Sequence, residues 1–324
     1  MTVPSFKLAI AIAAVLALAT ASLFIGVSDV SLHSLFSSAP EDRPMQVLLI
    51  SRIPRTLALI LAGMALSVAG LIMQMLARNR FVEPSTAGTV ESAGLGILVV
   101  TIFAPALPLF GKMAVAALFA LAVTFLFMRI MRAVPLRSTL VVPLVGIMLG
   151  GVIWSVASFI AYRYDLLQTL GAWTLGDFSG VLRGRYEMLW IAAALTLLAY
   201  ITADRLTVAG LGSDLTTNLG LNYRRVMTLG LSIVAMVTAT VVVTAGSIPF
   251  LGLIVPNLVS AVMGDNLRRS IPWIALTGAG FVLASDIIGR LIRFPYEIPI
   301  GTIFGVLGSA IFLWLLLGRR EQLG

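Results

Sequence analysis

Apolar runs of about twenty residues recur along this chain from Ser5 to Leu317, and nothing else in it restricts the backbone as strongly. Lipid offers no hydrogen-bond partner, so a run that enters it must pair its own N–H and C=O groups as a helix. The runs are Ser5–Val27, Arg52–Leu76, one ending near Phe103, Lys112–Met131, Thr139–Tyr162, Glu187–Thr202, Val226–Ala245, Phe250–Met263, Ile271–Leu291 and Ile298–Leu317. The expected fold is therefore an all-α polytopic membrane protein with about ten transmembrane helices. With 59% hydrophobic and 11% charged residues, 324 positions leave no room for a separate soluble domain, so residues 1–324 are expected to form a single domain.

The first run carries a small-residue box at Ala19-Thr20-Ala21, but it is longer than the apolar core of a signal peptide and reads as a span. Placing both termini in the cytoplasm puts Lys7, Arg78, Arg80, Arg129, Arg132, Arg137, Arg205, Arg224, Arg225, Arg268, Arg269, Arg319 and Arg320 inside. These are the larger share of the 22 basic residues, the bias that orients membrane proteins. The net charge of +8 then belongs to orientation and lipid headgroups, and no nucleic-acid partner is expected. There is no cysteine and one histidine, His33, in a polar loop, so no Cys/His metal site is expected.

The longest polar break, residues 204–225, divides a first half (1–203) from a second half (226–324). Spans two to five and seven to ten then run in opposite senses, the layout of an inverted repeat. The break has a helical pattern of its own around Gly210, Gly212 and Gly220 and suits docking by a soluble partner. The phosphate loop G-x-x-x-x-G-K-[ST] is missing, since Gly111-Lys112 runs into Met113. Ion coupling would need carboxylates inside the bundle. Glu83 and Glu297 lie at loop edges, Asp286 has Arg290 one turn on to pair with, and Glu91 alone is left. An ion-coupled secondary carrier is the alternative from another class.

Several segments, in order, carry a resemblance. Gly246-Ser-Ile-Pro-Phe-Leu-Gly-Leu-Ile-Val-Pro-Asn257 is similar to the G-P-I-x-F-[VI]-G-L-[IV]-[VI]-P-H signature of the iron-siderophore and vitamin B12 permease family of ABC importers, the FecCD-type transmembrane subunit. Gly264–Pro272, Ser285–Arg290, Glu297–Gly301, Arg52-Ile-Pro-Arg55, Gly70–Gln74, Arg78-Asn79 with Glu83-Pro84 and Gly88, and Leu170–Gly180 also fit, while Ser247, Asn257 and Asp177 depart from the pattern. Asp214-Leu-Thr-Thr-Asn-Leu-Gly220 resembles the E-A-A-x-x-x-G coupling signature of such importers.

The resemblance implies an inverted-repeat permease of the type II ABC importer kind in the bacterial inner (cytoplasmic) membrane. It implies two ATPase subunits that hold ATP and Mg, a second permease subunit (identical or paralogous), and a periplasmic or lipoprotein substrate-binding protein. The chain itself would bind no cofactor and no metal. A ferric siderophore is the expected cargo, with vitamin B12 or haem as the alternative within the family. Carried over by motif, Asp214, Leu219, Gly220 and Leu221, flanked by Arg224 and Arg225, would couple to the ATPase. Arg52, Arg55 and Arg290 would dock the binding protein, unless Arg290 pairs with Asp286. Asn79, Phe81, Ser138 and Thr139 would form the translocation gate. The outward Arg163, Arg183 and Arg185 suit an anionic chelate or, equally, contact with the binding protein.

Overall fold

The protein is described by a computed structural model covering residues 5–26, 43–133, 141–264 and 266–318. Its elements are α1 (Ser5–Phe24), α2, α3 (Thr89–Phe103), α4 (Leu109–Ala133), α5 (Val141–Arg163), α6 (Leu167–Thr174), α7 (Leu189–Ile201) and α8 (Ala203–Leu211). They continue with α9 (Ser213–Asn218), α10 (Tyr223–Ala245), α11 (Leu251–Met263), α12 (Leu267–Ile292) and α13 (Ile300–Gly318). Helix α2 is one rod, built from Arg43–Val47, a π-helical turn at Leu48–Arg52, and Ile53–Leu76.

Among the described residues six helices are long and apolar enough to cross a membrane alone: α1, α2, α4, α5, α10 and α12. The α7–α8 pair, bent by 67°, makes a seventh. The short α3 and α11, with α13, bring the set to the expected ten. Threonine hydroxyls inside the spans satisfy themselves: Thr124, Thr196, Thr238, Thr240 and Thr244 each donate to the carbonyl four residues back. Helices α10 and α12 start alike, with Asn222 and Asn266 as N-caps whose side chains accept from Arg225 N and Arg269 N at 3.0 Å.

Helices α2 and α10 are the buried centre. Helix α2 packs on α12 and α11, while α10 packs on α4 and α3. Exchanging the halves turns one set of neighbours into the other, as an inverted repeat requires. The exchange extends to the breaks: α3 and α11 both begin after a left-handed residue, Gly88 at φ 78° and Phe250 at φ 63°.

Glycine decides how closely these helices approach. A β-carbon on Gly70 of α2 would lie 2.0 Å from the carbonyl oxygen of Gly252 on α11, and one on Gly63 would lie 2.6 Å from that of Gly278 on α12. Backbone is touching backbone, the packing that small residues allow in lipid. Gly70→Ala is therefore expected to cost about 2–3 kcal/mol of overpacking. Gly305→Ala, with nothing within 4 Å, should be neutral. Monodisperse yield on size exclusion compares the two.

The second span begins earlier than the expected Arg52, within the helix that starts at Arg43. The eighth span begins at Leu251, within a residue of its expected start, and holds thirteen residues. It need not reach further, because its N-terminus is met inside the protein by a side chain from the other half.

Candidate functional site

The 204–225 break folds into α8 and α9 with a sharp turn between them at Gly212, φ 120°. Helix α9 closes by a Schellman motif: Leu221 N donates to Thr216 O at 3.0 Å, and Gly220 N donates to Thr217 O at 2.9 Å. The closing residue must be left-handed, and Gly220 is, at φ 78°. This gives the acid-to-glycine spacing a physical reading. Asp214 sits in the first turn, where the helix dipole favours an anion, and glycine ends the helix one residue past its cap. Buried Thr216 ties α9 to α8 by donating to Val208 O at 3.0 Å.

Asp214, Leu219, Gly220, Arg224 and Arg225 are exposed, and Leu221 is partly covered. The sequence expectation omitted Leu211 and Leu215. With Leu219 they are more than half exposed; Leu215 and Leu219 stand one turn apart on α9 and its cap, and Leu211 ends α8 before the turn. The i, i+4 spacing of Leu215 and Leu219 was the available signal.

Just inside lies the loop between α2 and α3. Arg78, at φ 50°, lays its guanidinium on Gly212, where a β-carbon would come 1.7 Å from it. The next residues are sewn to α11. Asn79 is buried and its Oδ1 accepts from Phe81 N at 2.8 Å. Asn257 donates to Arg80 O at 2.9 Å, and Gln74 donates to Gly252 O at 3.1 Å. Phe81 sets its ring edge-on to Phe312 of α13, with centroids 5.9 Å apart, and Phe312 stacks on Phe250. Two of the four expected gate residues are thereby neighbours in one loop. Ser138 and Thr139 lie outside the described residues.

Glu83 closes the same loop. It was set aside as a loop-edge residue, yet it is buried, accepts from Phe250 N at 2.7 Å and from the Ser85 hydroxyl, and faces Gly252 at the start of α11. A carboxylate placed on the free N–H groups of a helix start needs no solvent. Glu83→Ala should lower stability in detergent by about 3 kcal/mol, because a buried donor loses its acceptor. Glu83→Gln, whose amide oxygen still accepts, should lose about half as much; thermal unfolding in detergent ranks them.

At the opposite end of α2 the three other arginines do come together, in the interior. Helix α1 ends in carbonyls that have no intrahelical partner, and guanidinium groups supply the donors. Arg290 donates to Ser22 O at 3.0 Å and Ile25 O at 2.7 Å, and Arg52 also reaches Ile25 O. Asp286 balances the charge. It accepts Arg55 at 2.6 Å on one oxygen and Arg290 on the other, and Arg55 extends to Glu297 at 2.7 Å. Arg52 and Arg290 are buried, so the intrahelical pairing weighed for Arg290 is formed; Arg55 and Glu297 alone keep an exposed edge. Among the described residues no group of three His, Cys, Asp or Glu could hold a metal.

Comparisons with known proteins agree with this layout. A family profile described as "FecCD transport family" matches residues 12–318. The petrobactin import system permease protein YclN of Bacillus subtilis is 50% identical over 304 residues, covering 94% of this chain and 95% of that protein. The ferric-anguibactin transport system permease protein FatD of Vibrio anguillarum is 40% identical over 300 residues, covering 93% and 95%. A solved structure described as an inward-facing conformation of a metal-chelate type ABC transporter superposes with a TM-score of 0.80 at 24% identity, covering 97% of this chain and 99% of that one, which shows a shared fold.

Proposed function

The chain belongs to the FecCD transport family, and on that footing we propose that it is the permease subunit of an ABC importer for a ferric siderophore. It performs no chemistry itself; ATP and Mg are held by a separate ATPase subunit. The observation that carries the proposal is the knob at residues 213–221. An acid, an exposed leucine pair and a left-handed glycine are fixed on a two-turn helix at the rim of a bundle that has no phosphate loop. Exposed leucines in a fixed array call for a protein surface to cover them.

In this reading α9 docks in a cleft of the ATPase, Arg224 and Arg225 steer it, and Arg78 carries its displacement to Asn79 and Phe81. Ser138 and Thr139 complete the gate. The membrane is a bacterial inner membrane, and both termini face the cytoplasm with the knob. A second permease, identical or paralogous, covers the exposed face of α5 that includes Leu144, Ile147, Met148, Val152 and Phe159. A periplasmic or lipoprotein binding protein meets the other end, where Arg55 and Glu297 are the accessible edge of the buried cluster. Docking there exchanges partners with an existing ion pair and sets register more than affinity.

The test is site-directed cross-linking. Leu215→Cys in the assembled importer should form a disulfide with a cysteine placed in the ATPase cleft, and Leu118→Cys, on an exposed part of α4, should not. Cross-linking at neither or at both positions would contradict the docking.

A further inference from the structure

Among the described residues, Glu91 is the enclosed acid that the machinery above leaves unused. It lies in the first turn of α3 and is largely enclosed. Its carboxyl rests on Gly150 of α5, where a β-carbon would come 3.3 Å from both Cδ and Oε2. Oε2 is out of contact with solvent and has no hydrogen-bond partner. Among the described residues the other buried carboxylates are answered: Glu83 by backbone N–H and a hydroxyl, Asp286 by two guanidiniums. An acid held inside a membrane protein with one oxygen unanswered is costly, and such residues mark pathways.

Beside it opens a cavity of about 500 Å³ between α3, α5, α6 and the start of α13. Its wall includes Trp154, Trp173, Ser247 and Thr302, and none of the described residues lining it is basic. The cavity opens on the same face of α5 that the proposed second subunit covers, since Ile147, Gly151 and Trp154 are exposed there. That places it on the route between two such subunits. One acid, two indoles and no cation is an environment that favours an ammonium group: the carboxylate supplies the counter-charge and aromatic rings attract cations. An anionic group would be repelled there, and a hydroxyl would return only part of the cost of enclosing the charge.

We propose that Glu91 contacts cargo during translocation: its carboxylate receives the protonated amine of a ferric chelate that carries one, in the cavity between α3, α5 and α13. This rests on the transport reading above and narrows its substrate class.

The probes are two ferric chelates identical but for one nitrogen, a free amine in one and its acetamide in the other. They are offered to the full importer, with its ATPase and binding protein, in proteoliposomes. A charge-assisted contact predicts that the wild type moves the amine form about tenfold faster. Glu91→Gln should bring the ratio near one, and Glu91→Asp should keep it above one. A ratio that Glu91→Gln leaves unchanged, or a wild-type ratio of one, overturns the proposal.

A second measurement needs no variant. A hydrophobic carbodiimide should label Glu91 in the wild-type complex, read by peptide mass, and the amine chelate should protect it while the acetylated one does not. Equal protection by both, or by neither, overturns the proposal. If neither chelate is transported with ATP, it is the transport reading that fails, and the labelling still decides Glu91.

Discussion

Gly220→Pro is expected to abolish ATP-driven uptake while the protein still reaches the membrane in near-normal amount. Proline fixes φ near −65° and has no N–H; Gly220 holds φ 78° and donates to Thr217 O. The Schellman closure of α9 cannot form with proline there, and Leu219 and Leu221 are turned out of their array. The cost is local, because nothing lies within 4 Å of a β-carbon at this position. A loss of about 3 kcal/mol in the docked geometry corresponds to roughly two orders of magnitude in coupled population. Gly220→Asn, which tolerates the left-handed region, should keep most of the activity. Uptake and nucleotide hydrolysis are measured in the same proteoliposomes. Both should fall in the proline variant, and permease abundance should not.

Asp286→Ala is expected to be the most destabilising single change in the bundle. Asp286 is 1% exposed and is the acid shared by Arg55 and Arg290, with Arg52 close by at the same α1 end. Removing it leaves guanidiniums enclosed without a counter-charge, a change that costs about 3–5 kcal/mol. The damage should spread to α1, whose last carbonyls depend on Arg290 and Arg52 being held in place. Glu297→Gln removes an ion pair whose acid is more than a quarter exposed, so it should cost under about 1 kcal/mol. Apparent melting in detergent distinguishes them: a drop of about 10 °C for Asp286→Ala and a few degrees at most for Glu297→Gln.

The helices were legible because hydropathy and helix length are local properties of the chain, and nearly every span lies within a few residues of its expected place. The short helix α9 was legible for the same reason: Asp214 and Gly220 mark the two ends of one short element. What the sequence could not show depends on contacts between distant residues. Glu83 stands at a loop edge in the chain, yet it caps a helix that begins 168 positions later, beside Phe250. Gly70 reads as ordinary helix packing until its partner proves to be Gly252. The Asp286–Arg290 pair was visible as a one-turn spacing, but Arg55, from 231 residues away, makes it a triad, and the carbonyls of α1 explain why Arg290 and one further arginine, Arg52, are buried. Motif similarity named Arg52 and Arg290 together as docking residues and gave no sign that α1 would enclose them.

The claim beneath all of this is that the bundle contains no source of energy and is moved from outside through residues 213–221. Proteoliposomes test it directly. They hold the purified permease with the binding protein and a ferric catecholate, with or without the ATPase subunit, under an imposed proton gradient. Uptake should require both the ATPase and hydrolysable ATP and should be insensitive to collapsing the gradient. Sustained uptake by the permease with a proton gradient and no ATPase would contradict it and make the chain a secondary carrier.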